Sequence, residues 1–317
     1  MIQNKHTDAD LRQLQSLPLP QKELMSKNLI RQWYEYWDGN VYVSVSGGKD
    51  SEVLADLALS VFDDIPRVFF DTGLEYPEVR KFAMEHSDVV VKPKKTFKQV
   101  IDEYGYPVVS KEVAQIVREA RIGIARGDGS YEYRIKKLRG ELLDKNGNKS
   151  KFNQKKWGFL LDAPFAISEQ RCSVMKKAPA KEYERETGRK PIIGAMAEES
   201  NLRRQRWIRH GCNAFTETKP SSNPLSFWTE QDILRYIVEH KLPYASVYGD
   251  IVEDENGLLK TTGVSRTGCM FCMFGCHLEK EPNRFQRMKE THPKQWEYRM
   301  DKLGLRDVLA YINVPCE

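Results

Sequence analysis

The chain lacks the long apolar runs that membrane proteins need. None of its 317 residues falls in a stretch approaching the ~20 apolar residues of a transmembrane helix, and residues 1–6 contain no apolar leader core. Cysteine is also scarce, since six residues are too few for a disulfide scaffold at this length. The formal net charge of +5 is mild, so contact with nucleic acid is permitted but not required. We therefore expect a cytoplasmic protein with no membrane partner.

A short strand followed by two glycines is the centre of the pattern. Alternation over residues 41–45 predicts a strand, and apolar periodicity predicts a helix over 52–62. Between them, Gly47 and Gly48 have no Cβ atoms, so the backbone can approach a phosphate closely. The free N–H groups and the dipole of a helix N-terminus favour an anion there, and Lys49 adds a mobile positive charge. The stretch predicts a phosphate site.

The six residues Ser-Gly-Gly-Lys-Asp-Ser do not match a Walker A motif, which has four residues between its first glycine and its Gly-Lys pair. They resemble the pyrophosphate loop of the N-type ATP pyrophosphatase (PP-loop) superfamily, whose members split ATP between its α and β phosphates and adenylate a substrate. The alternative is an ordinary Gly-Gly turn. The resemblance implies that Lys49 and Asp50 are catalytic, with Asp50 orienting Mg²⁺. It also implies nucleotide binding by Ser46, Gly47, Gly48, Lys49, Asp50 and Ser51.

A second polar loop follows the next predicted strand, residues 67–70. Because ligands of open parallel sheets lie beyond the carboxyl ends of the strands, we expect this loop to share one crevice with the first. Its Asp-Thr-Gly-x-Glu segment resembles the second motif of the 3′-phosphoadenylylsulfate (PAPS) reductase family. The alternative is a helix cap with acidic first-turn residues. The resemblance implies a catalytic Asp71 and nucleotide contacts from Asp71, Thr72, Gly73 and Glu75.

Further motifs of the PAPS reductase family occur in order through the last third of the chain. They are Gly-x-x-x-x-Glu-Ser at 194–200, Asn-Pro-Leu followed by Trp-Thr-x-x-Asp at 223–232, Pro-Tyr at 243–244, and a cysteine cluster. The resemblance covers roughly residues 41–277 and implies substrate contacts from Glu199, Ser200 and Arg203. It implies an α/β fold like that of the adenine nucleotide alpha hydrolases, a parallel twisted sheet with helices on both faces.

The same patterns divide the chain into segments. We expect N-terminal helices over 1–40, a PP-loop nucleotide-binding domain over 41–260, and a cysteine-cluster and helical region over 261–317. An insertion at 127–157 carries nine basic residues with interleaved aromatics. It is compatible with nucleic-acid contact by phosphate binding and stacking, and equally with a solvated surface insertion.

Three cysteines lie at C-x2-C-x3-C spacing in the last third of the chain. Thiolates this close in sequence can converge on one zinc or iron–sulfur centre, and Cys172 is the candidate fourth ligand. The apolar neighbours favour an iron–sulfur cluster, with structural zinc as the alternative. Cluster-bearing members of the family carry a Cys-Cys pair where this chain has Arg171-Cys172. The predicted ligands of a [4Fe-4S] cluster are Cys172, Cys269, Cys272 and Cys276. The alternative is that Cys276 is not a ligand, so that three thiolates leave one iron open to a sulfide.

Two enzymatic functions fit this pattern. The favoured one is a sulfurtransferase that adenylates an acceptor with ATP, releases pyrophosphate and inserts sulfur, because the complete loop at 46–51 suits enzymes that hold ATP. The sequence motifs of the chain are similar to those of the sulfurtransferase branch of bacterial DNA phosphorothioation. The alternative is a PAPS or adenylylsulfate reductase that releases sulfite through a mobile cysteine, for which Cys316 is the candidate. A third reading is a nucleic-acid-binding module with structural zinc.

The favoured function sets the expected partners. They are an adenine nucleotide, with ATP as substrate and Mg²⁺ as its cation, and a nucleic-acid acceptor, either DNA or tRNA. A sulfur-donor protein and a second copy of the chain in a homodimer are also compatible with the pattern.

Overall fold

A computed structural model describes residues 5–317. Its α-helices in chain order are α1 Asp8–Gln15, α2 Leu19–Tyr36, α3 Lys49–Leu59, α4 Pro77–Glu85, α5 Phe97–Tyr104, α6 Lys111–Arg126, α7 Glu132–Arg139, α8 Ala178–Thr187, α9 Asn201–His210, α10 Glu230–His240, α11 Arg284–Thr291, α12 Pro293–Glu297 and α13 Leu305–Tyr311. Short 3₁₀ helices include Lys155–Asp162 and Ala197–Glu199. Within the described residues, no helix combines the length and apolar character needed to cross a membrane.

The strands form one large sheet and two small ones. They are β1 Val41–Val45, β2 Arg67–Phe70, β3 Val89–Val91, β4 Val108–Val109, β5 Lys190–Ile193, β6 Asn213–Ala214, β7 Ser221–Ser222, β8 Ile251–Glu253, β9 Leu259–Thr261 and β10 Met273–Phe274. The six-stranded sheet has the order β3-β2-β1-β5-β7-β6. Its pairs are parallel except for the antiparallel edge pair β6 and β7.

The chain forms two compact units. Among the described residues, the first contains 5–94 and 178–270, and therefore the whole six-stranded sheet. The second contains Lys95–Lys177 and Phe271–Glu317. The N-terminal helices therefore belong to the same unit as the large sheet, and the basic insertion belongs to the same unit as the C-terminal helices. The sequence did not predict this grouping.

The first unit has helices on both faces of its sheet, as predicted for the α/β class. On one face, Val41, Val43 and Val45 of β1 join a large apolar core with residues of α2, α3 and α10. On the other face, the ring of Tyr42 meets Tyr183 of α8, and its hydroxyl donates to Glu184 at 3.1 Å. Strand β1 is buried on both faces, which explains its nearly continuous apolar character.

Capping residues mark where two helices of the first unit begin. Helix α10 begins with a capping box, because the Thr229 side chain accepts from Asp232 N–H and the Asp232 carboxylate accepts from the Thr229 backbone N–H. Helix α3 begins at Lys49, three residues before the predicted start, with Gly48 as its N-cap. The earlier start places Lys49 and Asp50 in the first helical turn.

The second unit packs α6 against α7 and the 3₁₀ helix Lys155–Asp162. Arg121 of α6 holds residues 160–165 in place. Its guanidinium donates to the carbonyl oxygens of Leu160, Ala163 and Phe165, each at 2.7 Å. A short parallel pair joins β4 to β10. These contacts give the basic insertion a defined fold.

Candidate functional site

The loop between β1 and α3 is built by one glycine and two serines. Gly47 has φ +71°, and a Cβ there would lie 2.5 Å from the carbonyl oxygen of Val79, so no other residue fits without a shift of the backbone. The hydroxyl of Ser51 accepts from Ser46 N–H at 3.1 Å and donates to Gly48 O at 2.8 Å. These bonds hold the loop at the N-terminus of α3, where helix N–H groups favour an anion.

Lys49 is held inside the site, although it begins a helix. Its side chain is 5% exposed, and its ammonium nitrogen lies 3.1 Å from Glu230 Oε1 and 3.1 Å from the Ser265 carbonyl oxygen. The same nitrogen lies 5.0 Å from the centre of the Tyr248 ring. A cation held by one half-exposed carboxylate is available to a more highly charged anion that enters the site.

A cavity of about 540 Å³ opens beside this lysine. The predicted residues that line it are Ser46, Gly48, Lys49, Asp50, Ser51, Glu199 and Arg203. Gly47 is buried against α4. Ser200 caps α9 by accepting from Arg203 N–H, and it lies on the wall of a separate depression. The volume is in the range of small-molecule sites.

Charged groups dominate the cavity wall. Glu199 forms ion pairs with Arg203 and Arg266, and it also accepts from Met196 N–H at 3.0 Å. Burial raises the pKa of Asp50 above its ordinary value, although Lys49, Arg266 and Arg203 oppose the shift. Burial likewise lowers the pKa of Arg203. Arg203 and Arg266 thus both pair with the carboxylate of Glu199 in the cavity wall.

The second predicted loop follows β2 but does not line the cavity. Asp71 is buried and accepts two bonds from the Arg80 guanidinium, at 2.7 and 2.8 Å. Burial alone would raise the pKa of Asp71, but these bonds together with Gly73 N–H bring it below its ordinary value. Thr72 donates to Glu75 within the same loop. The proposed roles of Asp71, Thr72, Gly73 and Glu75 stay predictions.

The structure adds cavity residues that sequence reasoning missed. Tyr248, Ser265, Arg266 and Thr267 also line the cavity, together with Glu198 and Glu230. The Tyr248 hydroxyl lies 2.6 Å from Thr267 Oγ1, and burial raises its pKa to about 12. The sequence offered one clue to residues 265–267, which is that they directly precede Gly268 and Cys269 of the cysteine motif.

Two of the predicted metal-ligand cysteines share one hydrogen-bond donor in the second unit. The Nη2 atom of Arg171 lies 3.4 Å from Sγ of Cys172 and 3.4 Å from Sγ of Cys272. Burial raises the pKa of Cys276 to about 12, and its thiol donates to the Met273 carbonyl oxygen at 3.0 Å. Cys269 belongs to the first unit.

No group of three or more His, Cys, Asp or Glu side chains converges on a metal position in the part of the chain that the structure describes. The thiols fit a soft metal by donor type, and those of Cys172 and Cys272 share the guanidinium of Arg171. The four-ligand assignment stays a prediction.

The sequence and fold were compared with known proteins. The profile of the phosphoadenosine phosphosulfate reductase domain matches residues 40–120 and 130–274. An uncharacterised protein of Methanocaldococcus jannaschii is 24% identical over 289 residues, which are 89% of this chain and 52% of that protein. The chain thus spans about half the length of that relative.

A crystal structure of PAPS reductase from Candida auris, in complex with phosphate, aligns with 80% of this chain and 97% of its own at 16% identity and a TM-score of 0.40. Because the family profile covers well over half of the chain, the protein belongs to the phosphoadenosine phosphosulfate reductase domain family.

Proposed function

We propose that the protein binds Mg·ATP in the cavity beside Lys49, transfers the adenylyl group to an acceptor and exchanges the adenylate for sulfur. The observation that carries this proposal is the complete loop at 46–51, whose buried Lys49 faces a cavity at a helix N-terminus. An enzyme whose substrate is already activated does not need to hold a leaving pyrophosphate. A complete pyrophosphate loop favours ATP.

The charges of the cavity argue for a divalent cation. Asp50, Glu198, Glu199 and Glu230 line it against Lys49, Arg203 and Arg266, so carboxylates outnumber cations before a polyphosphate enters. Phosphate oxygens prefer Mg²⁺ as their hard cation, and Asp50 is the carboxylate at the loop itself. We expect Mg²⁺ to bind with the nucleotide, not ahead of it.

The reaction has two displacements. An acceptor oxygen attacks the α phosphorus of ATP, the bond to the β-phosphate oxygen breaks, and pyrophosphate leaves. A sulfur nucleophile then attacks the activated carbon or phosphorus of the acceptor, and AMP departs with the original oxygen. Lys49 would stabilise charge on the leaving pyrophosphate, and Arg203 and Arg266, which line the same cavity, would bind other phosphate oxygens of the nucleotide.

The reductase is the second candidate, favoured by the family itself. It requires a thiol that can reach the sulfonucleotide, and Cys316 is the candidate. Cys316 is 8% exposed, and burial raises the pKa of its thiol. Its carbonyl accepts from Trp296 Nε1 at 3.0 Å, and Asn283 donates to the preceding Pro315 carbonyl at 2.6 Å. Because the reductase needs a mobile thiol, a buried Cys316 on a hydrogen-bonded segment favours the sulfurtransferase.

For the cysteines we propose a thiolate-bound iron–sulfur centre, with zinc as the alternative. Cys172 and Cys272 are the best-supported ligands because their thiols already meet at Arg171. Such a centre would supply iron for binding a sulfide, and the displacements above do not depend on it. Brown colour after anaerobic purification, lost in Cys172→Ala and Cys272→Ala, would support it; a colourless protein holding zinc would select the alternative.

The experiment that decides between the two functions is an anaerobic incubation with labelled ATP plus single-stranded DNA or tRNA as the acceptor and, separately, with PAPS. We expect pyrophosphate release from Mg·ATP and no sulfite from PAPS. Sulfite release would establish the reductase. Release of neither product, with retained oligonucleotide binding, would favour the nucleic-acid-binding module. The acceptor, a sulfur-donor protein and a homodimer are further proposals of the same function.

A further inference from the structure

The insertion at 127–157 is an ordered part of the second unit. Leu138 of α7 is fully buried, and the Asn153 side chain bonds to both the N–H and the carbonyl of Leu142, each at 3.0 Å. The segment turns back on itself at residues 144–148, with Leu143 paired to Lys149 across the turn. The cations of this segment are therefore carried on a fixed backbone.

This segment holds the charge excess of the protein. It contains nine basic and four acidic residues, a net of +5 that equals the formal net charge of the whole chain. Arg134, Lys136 and Lys137 are paired with carboxylates. Among the described residues, the cations of the segment without an ion pair are Arg139, Lys145, Lys149, Lys151, Lys155 and Lys156. All six are exposed.

Exposed aromatic rings accompany these cations. Phe152 is 61% exposed and Tyr133 54% exposed, although rings of this size are usually buried. The ammonium groups of Lys151 and Lys156 lie 5.5 and 5.2 Å from the ring centres of Phe152 and Trp157. Rings beside unpaired cations can stack on bases while the cations bind the adjoining phosphates.

A groove of about 680 Å³ lies beside the basic segment. Its apolar wall includes Ile124 and Phe159, and Arg139 and Lys155 lie on the same lining. Glu141 and Asp162 also line the groove and would repel phosphate. The groove therefore suits a flat, uncharged ring, and the phosphates are better placed on the neighbouring lysines.

We infer that this surface, formed by Arg139, Lys151, Phe152, Lys155, Lys156 and Phe159, binds single-stranded nucleic acid. An acidic peptide would satisfy the lysines, but its carboxylates offer no ring to stack on Phe152 or Phe159. The identification of this bound strand as the acceptor rests on the proposed function. As binding, it requires neither ATP nor chemistry.

The test is fluorescence anisotropy of the whole protein with a labelled 20-nucleotide single strand, as DNA and as RNA, without ATP, from 50 to 200 mM KCl. With three to four phosphates neutralised, log K should fall against log salt with a slope of about −2 to −3. The triple change Lys151→Glu, Lys155→Glu and Lys156→Glu should weaken binding at least ~10-fold.

Two further comparisons make the test specific. Phe152→Ala with Phe159→Ala should weaken binding at least ~5-fold while keeping the salt slope. The matched control is Lys181→Glu, Lys219→Glu and Lys260→Glu, which makes the same charge change at exposed lysines of the first unit. We expect this control to bind within ~3-fold of the wild type.

Equal weakening by both triple variants, or equally tight binding of a polyglutamate peptide, would overturn the inference. Pyrophosphate release is measured on the same protein preparations after Mg·ATP is added, so the two proposals can fail separately. Oligonucleotide binding without ATP turnover would sustain this surface and refute the adenylation. ATP turnover by a protein that binds no oligonucleotide would support the adenylation and refute this surface.

Discussion

Replacing Lys49 with alanine tests the phosphate site most directly. The change removes a nearly buried cation whose nitrogen lies 3.1 Å from Glu230 Oε1 and 3.1 Å from the Ser265 carbonyl oxygen. Hydrogen bonds that involve a charged group contribute about 1.5–3 kcal/mol each. Loss of one such bond to a phosphate would therefore raise the Kd for Mg·ATP about 10- to 150-fold.

Catalysis should suffer more than binding. Lys49 is proposed to stabilise charge that develops on the leaving pyrophosphate, and removing one such donor lowers kcat by about 10²- to 10³-fold. The variant should still fold, because Glu230 is 46% exposed and is not left as a buried unpaired charge. We expect a loss of unfolding free energy below about 2 kcal/mol.

The assay pairs calorimetric Mg·ATP binding with pyrophosphate release, and Glu230→Gln is the matched comparison. This substitution keeps the size of the side chain and removes the carboxylate that competes for Lys49. ATP affinity should rise or stay constant in Glu230→Gln while it falls in Lys49→Ala. Pyrophosphate release by Lys49→Ala within ~3-fold of the wild type would refute the assignment of the loop.

Three other predictions test the loop, the buried carboxylate and the terminal thiol. Gly47→Ala should cost more than ~2 kcal/mol in urea unfolding, since it adds a clash to a left-handed φ, whereas Gly73→Ala, at φ +67° in open space, should cost about 1 kcal/mol. Arg80→Ala should cost about 1–3 kcal/mol at pH 7 by leaving Asp71 without its partner. The lowered pKa of Asp71 makes its contribution present above pH ~4 and lost as the pH falls further, so the difference in urea unfolding between wild type and variant should shrink steadily below pH ~4. Cys316→Ala should leave pyrophosphate release within ~2-fold of the wild type, and loss of all activity would instead indicate the reductase.

Local patterns predicted those parts of the fold whose causes are local. Strand β1 and the helix after its glycine loop follow from alternation, backbone freedom and apolar periodicity, all within residues 41–62. The cap of α10 follows from Thr229 and Asp232, which are three residues apart. The start of α3 was placed too late because Lys49 and Asp50 carry no apolar signal.

Contacts between distant segments could not be predicted in this way. Arg266 meets Glu199 across 67 residues, and the ammonium of Lys49 meets the Ser265 carbonyl across 216. Neither pair has a spacing that periodicity or a motif can report. The same limit applies to Arg171, which reaches Cys272 across 101 residues and lies where the family motif led us to look for a cysteine.

The sequence by itself determined the α/β class, the family and the glycine loop between β1 and α3, because each depends on short runs whose chemistry acts locally. Only the tertiary structure decided which charges share the cavity with Lys49, that Asp71 is held by Arg80, and that Cys316 is buried. Burial and ion pairing depend on what the rest of the chain places around a side chain. That information lies in the packing of segments far apart in sequence, not in any one of them.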